Sequence, residues 1–273
     1  MPLLSRTISA VKFQLNKRLK LDIVRISSQQ TLMAHLLRVF QAYRIDTVLD
    51  VGANEGQFAR LIRKWGYGGE IHSFEPVKRS YGKLSEYAAD DPAWKAHNFA
   101  LGNEPGTAKI NVLRSSTLSS MLSINKFATQ KWVDDTQFSH QEVVDVRTLD
   151  DFITEHHAIA DKRIFLKLDT QGYDLEVFRG ADKSLDRICC LLSEVSLIPI
   201  YDGMPTYLEA LSAYQSRGFS ISGIYPLSKN EGDLSVIEMD CVLVNKRLSP
   251  TLPQRDSAAQ PVGGAWEKSG AAR

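Results

Sequence analysis

Short, nearly continuous apolar runs alternate along this chain with segments of helical periodicity, and that alternation constrains the fold most. The runs DTVLDVGA (46–53), GEIHSFEP (69–76), WKAHNFAL (94–101), RIFLKLD (163–169) and ICCLLSEV (188–195) have the length and composition of strands. Between most of them lie amphipathic stretches. EGQFARLIRKWG sets Phe58, Leu61, Ile62 and Trp65 on one stripe, and YDLEVFRGADKSL does the same with Leu175, Phe178 and Ala181. A strand that is apolar at successive positions is buried on both faces, and intervening helices are what cover a parallel sheet. The expectation is an α/β, doubly wound, mostly parallel sheet. After residue 200 the order changes: helical PTYLEALSAYQSRG leads to FSISGIYP (219–226) and IEMDCVLVNK (237–246), an antiparallel pair expected to close one sheet edge.

At 273 residues, with 43% hydrophobic and 24% charged content, the chain can bury a full core. The expected organisation is a helical lead-in over 1–40, a core domain over 41–248, and a disordered tail over 249–273, which is rich in Pro, Gly, Ala and Ser. Cys189, Cys190 and Cys241 lie in apolar runs without the spacing of a disulfide framework or a metal site, so they are expected as buried thiols in a reducing compartment. No signal-peptide core and no run of roughly 18 apolar residues occurs, which points to a cytoplasmic protein. A net charge of +1 gives no general pull toward nucleic acid. Residues 1–20, however, carry Arg6, Lys12, Lys17, Arg18 and Lys20 with no acid, either a solvated helix face or a weak attraction to an anionic membrane surface.

The first strand runs into a turn, VLDVGANEG, that opens the first helix. In doubly wound sheets ligands sit beyond the carboxyl ends of the strands, and the first strand-to-helix turn offers backbone amides to them. Gly52 and Gly56 permit close approach, but their G-x-x-x-G spacing lacks the third glycine of a dinucleotide fingerprint, and no phosphate-loop Lys-Ser/Thr pair follows. Glu75, about twenty residues on and ending the second strand, suits a ribose diol. Asp50 ends the first strand close to where a ligand's amino group would lie. Together they fit a nucleoside without a pyrophosphate, such as S-adenosylmethionine.

Several ordered blocks then carry a resemblance: VLDVGANEGQFA, SFEP, FALG before EPGTAKI, VDVRTLDDFI, FLKLDTQGYDLEVFRGA, LLSEVSLIPIYDGMPTY and MDCVLVNK. Over roughly residues 45–245 the chain resembles the FkbM-type methyltransferases. The resemblance implies a class I, Rossmann-like methyltransferase fold with strand order 3-2-1-4-5-7-6, S-adenosylmethionine as cofactor, and O-methylation as the usual reaction. The implied cofactor-contacting residues are Asp50, Gly52, Asn54, Gly56, Glu75, Ala100 and Asp169. In the commoner form of the fourth-strand block an Asp is followed by Glu-Gly and another Glu; here Gln171 and Asp174 stand in those places.

Methyl transfer to a hydroxyl needs alignment and a base. Asp169, at the end of the fourth strand, is the first candidate, or else it caps the following helix. Glu194, ending the fifth strand, is the second; with Asp169 it could bracket a hydroxyl or share a divalent metal, though two carboxylates do not make a metal site and none is expected. PIYDGMPTY offers a substrate lid, with Tyr201 and Tyr207 either against a sugar ring or in the packing. Asp150 is expected to cap a helix, RSSTLSSMLSINKF (114–127) either to cover the cofactor or, preferred, to be a polar surface loop, and His140 to be a weak base candidate among six histidines, with His156 and His157 at a solvated helix end. The Asn-Pro-Pro-Tyr stretch of many amino-methylating enzymes, the Pro-Cys arrangement of cytosine C5 enzymes and a basic stripe are all missing, leaving a hydroxyl on a small metabolite, sugar or glycolipid as the expected acceptor. A cofactor binder without catalysis and a nicotinamide-dependent oxidoreductase are the alternatives.

Overall fold

The structure is a computed structural model that describes residues 29–248, together with 12–14, 17–19, 24 and 250. Most of the basic stretch over 1–20 and nearly all of the tail over 249–273 lie outside the described residues; 12–14 and 17–19 are helical.

In chain order, helix α1 (Leu32–Tyr43) leads into β1 (Thr47–Val51), α2 (Gln57–Lys64), β2 (Glu70–Phe74), α3 (Lys78–Ala89) and β3 (Trp94–His97). There follow β4 (Ala100–Leu101), β5 (Gly106–Leu113), α4 (Lys126–Lys131), β6 (Phe138–Arg147), α5 (Leu149–Glu155) and α6 (His157–Ala160). The chain continues through β7 (Ile164–Leu168), α7 (Asp174–Arg179), β8 (Ile188–Ser196), α8 (Tyr207–Ser216), β9 (Phe219–Lys229) and β10 (Val236–Asn245).

Seven strands form the main sheet in the order β3-β2-β1-β7-β8-β10-β9. Counted along the chain within this sheet, the order is 3-2-1-4-5-7-6. The pairs from β3 to β8 are parallel, and β10 enters antiparallel between β8 and β9. β1 and β7 are buried at every position, as central strands covered on both faces must be. One face packs on α5, α7 and α8 through Phe152, Phe178 and Tyr214; the other packs on α1, α2 and α3 through Phe40, Ile62 and Leu84.

Two expectations change. WKAHNFAL is not one strand: Asn98 turns the chain by donating to the carbonyls of Glu75 and Pro76, so Trp94–His97 stays in the main sheet. Ala100–Leu101 pairs instead with β6 in a second, three-stranded sheet ordered β4-β6-β5. On α2 the buried residues are Ala59 and Ile62, whereas Leu61 and Trp65 are each 42% exposed. Gly56 is the N-cap of the helix, and Leu61 falls on the side that faces the cavity above the carboxyl ends of the strands. On α7, Leu175 and Phe178 are buried as the periodicity requires, with Ala181 just beyond. The three cysteines are buried free thiols. Among the described residues no helix is long and apolar enough to cross a membrane.

Candidate functional site

A cavity of about 570 Å³ opens above the carboxyl ends of β1, β2, β7 and β8. Its wall is built first from the turn after β1. Gly52 has φ 73°, and a Cβ there would lie 1.9 Å from the carbonyl oxygen of Asp169, so the two strand ends touch only because residue 52 is glycine. Asn54 follows with φ 47° and donates its backbone N–H to Glu75 Oε2 (2.8 Å), while Val77 N–H donates to Oε1 (2.8 Å). Glu75 is 6% exposed and lines the cavity. Burial pushes its carboxyl up to about 7, against the pull of these two amides. Asn54 Oδ1 accepts from Ser116, but its Nδ2 is buried in the wall without a partner. Ala100, at the start of β4, lines the same wall.

Two residues of the implied cofactor set lie elsewhere. Asp50 is wholly buried and does not line the cavity: its Oδ2 accepts from Ser73 (3.1 Å), which also accepts from the Trp94 indole (3.0 Å). Lys167 Nζ stands 3.0 Å from Asp50 Oδ1, an electrostatic contact without hydrogen-bond alignment. Side chains alternate along a strand, and Asp50 falls on the inward side one residue before the turn. Gly56, at φ 80°, packs on Trp94 and Leu84 and acts on α2, outside the cavity lining.

Lys167 is the buried centre of this region. Its ammonium donates to the Gly52 carbonyl (3.1 Å) and pairs with Asp50 and with Asp169 Oδ2 (3.3 Å). Burial works against its charge, but the two carboxylates outweigh burial and hold its pKa above the ordinary lysine value.

Asp169 keeps about a third of its side chain exposed and lines the cavity. It does not cap α7: its Oδ1 accepts from Gln171 Nε2 (2.9 Å). Asp174 is buried beneath the loop and accepts from the backbone and hydroxyl of Thr170 and from Ser193, which fixes the turn. The two departures from the commoner block therefore hold the loop that carries Asp169.

Glu194 lies beside Asp169 in the cavity lining, and the antiparallel register sets Asp240 opposite it. Glu238 and Asp240 line the same floor. Burial, then Asp169, then Glu238 push Glu194 well above the usual carboxyl range; burial and Asp169 raise Asp240 to about 6. The floor is thus rich in carboxyls and matched by one buried cation. Among the described residues, no three His, Cys, Asp or Glu side chains come together as a metal-holding group.

The hydroxyl-rich segment forms part of the site. Ser116–Met121 line the cavity, with a short 3₁₀ turn at Ser116–Leu118, so of the two readings of this segment the preferred plain surface loop is the one corrected. PIYDGMPTY does not line the cavity; it is stitched to the 123–125 stretch by Asp202 N–H to Ser123 and Asn125 N–H to Ile200. Tyr201 is 2% exposed, in the packing, and Tyr207 packs on the core through α8. Asp150 is not the cap of α5: Thr148 is, while Asp150 accepts from Lys183 N–H (3.0 Å). His140 is half exposed on β6, paired with Glu142 and outside the cavity lining. His156 is partly buried and stacks on Phe152, so only His157 stands at a solvated helix end.

Lys167, Glu238 and Asp240 went unrecognised as site residues in the sequence. Each had a signal: a lysine inside the apolar run RIFLKLD, and two acids at i and i+2 in IEMDCVLV.

No curated protein matches the chain. Solved structures to which the chain is similar include a methyltransferase FkbM from Methylobacillus flagellatus KT (15% identity, TM-score 0.46, covering 72% of this chain and 43% of that one). An rRNA methylase from Streptococcus thermophilus is 15% identical, with TM-score 0.40 and coverage of 79% and 98%. A precorrin-6y C5,15-methyltransferase from Geobacter metallireducens GS-15 is 9% identical, with TM-score 0.39 and coverage of 79% and 88%. The chain spans less than half the length of the Methylobacillus protein. The family model for the methyltransferase FkbM domain matches residues 50–221, well over half of the chain, and the chain belongs to the FkbM methyltransferase family.

Proposed function

We propose that this chain is an S-adenosylmethionine-dependent O-methyltransferase acting on a hydroxyl of a sugar, a glycolipid or another small metabolite. The observation that carries the reading is the corner made by Glu75 and Asn54. Each Glu75 oxygen accepts one backbone N–H and retains a lone pair, the geometry that a pair of ribose hydroxyls needs. Beside it, Asn54 Nδ2 is a buried donor without a partner. The carboxyl-rich floor favours a cationic ligand, and a cavity of about 570 Å³ has room for a cofactor and part of an acceptor. When bound, the cofactor supplies an electrophilic methyl group on a sulfonium.

The residues divide the remaining work. Lys167 and Gln171 orient the Asp169 carboxylate toward the cavity, where it takes the proton of the acceptor hydroxyl. Glu194, whose surroundings favour its protonated form, donates to a neighbouring acceptor oxygen. Leu32, Phe58, Leu61 and Leu227 give the cavity an apolar side suited to an acceptor with an apolar body, such as a glycolipid.

The test is calorimetry on the full chain with S-adenosylmethionine, S-adenosylhomocysteine and NAD, then methyl transfer to alkyl glycosides. Micromolar binding of the first two without NAD is the expected result. NAD binding alone overturns the reading, and an Asp169→Asn variant that transfers methyl at the wild-type rate removes Asp169 as the base.

A further inference from the structure

Gln171 stands between a carboxylate that accepts from it and a tyrosine hydroxyl that donates to it. Its backbone has φ 55°, a left-handed conformation rare outside glycine, and Gly172 follows at φ 89°. Its carbonyl accepts from Ser120 Oγ (2.7 Å), so the residue is tied to the segment that lines the cavity. Its side-chain Nε2 donates to Asp169 Oδ1 (2.9 Å), and its Oε1 lies 2.8 Å from the Tyr201 hydroxyl. That hydroxyl also lies 2.9 Å from the Leu118 carbonyl. A tyrosine has one O–H proton, and neither carbonyl oxygen has any. Two acceptors therefore share a single donor.

From this we propose that Gln171 relays the protonation state of Asp169, through Tyr201, to the Ser116–Leu118 segment over the cavity. While Asp169 is ionised, the amide must turn its NH₂ to the carboxylate. Oε1 then faces Tyr201 and competes with Leu118 for the proton. When Asp169 takes a proton on Oδ1, that O–H needs an acceptor 2.9 Å away. Rotation of the amide by half a turn presents Oε1 to Asp169 and Nε2 to the Tyr201 oxygen. The tyrosine proton then goes to Leu118 alone. No covalent bond changes: one proton moves to Asp169 and one amide rotates. Segment 116–118 is held more tightly after proton transfer than before it. Release follows when Asp169, still about a third exposed, returns its proton to solvent. The catalytic meaning of the relay rests on Asp169 as the base; the relay itself does not.

Asp169→Asn mimics the protonated state. Lys167, 3.3 Å from Oδ2, holds the asparagine oxygen, so the asparagine NH₂ faces Gln171 and turns its amide. The experiment is amide hydrogen exchange by mass spectrometry on the full chain at one pH, without ligand, following peptides over 114–121. In Asp169→Asn, exchange there is expected to slow about fivefold, the equivalent of one hydrogen bond of roughly 1 kcal/mol. Peptides from β1 and β8 serve as unchanged controls. Adding Tyr201→Phe, or Gln171→Leu should the buried phenylalanine prevent folding, is expected to abolish the slowing. Unchanged or faster exchange in Asp169→Asn overturns the relay, as does slowing that survives the second substitution. Methyl transfer is measured separately, so a failed relay and a failed methyltransferase reading give different results.

Discussion

The Lys167 ammonium stands 3.0 Å from the Asp50 carboxylate, beneath the cavity, with both side chains withdrawn from water. Parallel pairing of β1 with β7 sets these residues side by side, Asp50 opposite Lys167. A buried pair of this kind is retained at a desolvation cost, and removing one partner leaves the other charge uncompensated. Lys167→Met is therefore expected to lower stability by about 3–5 kcal/mol. Asp50→Asn combined with Lys167→Met should recover a large part of the loss, because no uncompensated Asp50 charge remains. Urea unfolding of the three proteins checks this, and a Lys167→Met variant as stable as wild type would remove Lys167 from its central place.

Glu75 links cofactor affinity to pH. Burial raises its carboxyl to about 7, while ribose hydroxyls need the ionised form as acceptor. Below pH 7 a proton competes with the ligand, and S-adenosylhomocysteine affinity should fall by up to about tenfold per pH unit. Glu75→Gln loses that dependence and, at pH 8, about 10–100-fold in affinity, the worth of hydrogen bonds to a charged group. Titration calorimetry between pH 5.5 and 8 reads both effects; a flat wild-type profile rejects the ribose assignment.

Glu194 is a function–stability conflict in one side chain. Burial, Asp169 and Glu238 raise its pKa in the folded state above the unfolded value. The folded protein therefore binds a proton that the unfolded chain gives up, and the stability this supplies is lost as pH rises through the folded pKa. Glu194→Gln cannot ionise, so it should be more stable than wild type at pH 8, by several degrees in Tm. The gain should shrink toward pH 5. A variant that melts lower at pH 8 than at pH 5, relative to wild type, contradicts the assignment.

The main sheet was legible because its strands are buried on both faces, which writes uninterrupted apolar runs into the sequence. The second sheet was not: GTAKINVL and HQEVVDVR are half buried and alternate apolar with polar, and Asn98 ends a run that composition alone continues. At the site, Glu75 and Asp169 could be found because each ends a strand at the ligand-binding edge. Asp50 ends a strand too, but its side chain falls on the inward side, where Lys167 meets it. Glu238 and Asp240 join Glu194 only through antiparallel register, a relationship between segments more than forty residues apart that neither segment reveals by itself.

Two histidines, His72 and His97, make the fold sensitive to acid. His72 is wholly buried, its Nδ1 lies 3.0 Å from His97 Nε2, and both rings pack among Phe74, Phe152 and His156. Burial lowers both imidazoles, His72 to about 4 against the opposing pull of Glu70 and His97 to about 3, where the charge of His72 would lower it further. The folded state therefore keeps both neutral, while the unfolded chain binds protons near pH 6.5. Stability from this pair is complete above pH 6.5 and is lost as pH falls from there toward 4, with a slope of up to about 1.4 kcal/mol per pH unit for each ring. Glu75, Glu194 and Asp240 act in the opposite sense over part of the same range, so the pair must be isolated by difference. His97→Phe keeps an aromatic ring against Phe74 and removes one titrating group. Wild type minus His97→Phe, measured as urea unfolding free energy at pH 7, 6 and 5, should fall steadily toward low pH. A difference independent of pH would mean that the imidazoles are not held neutral by the fold.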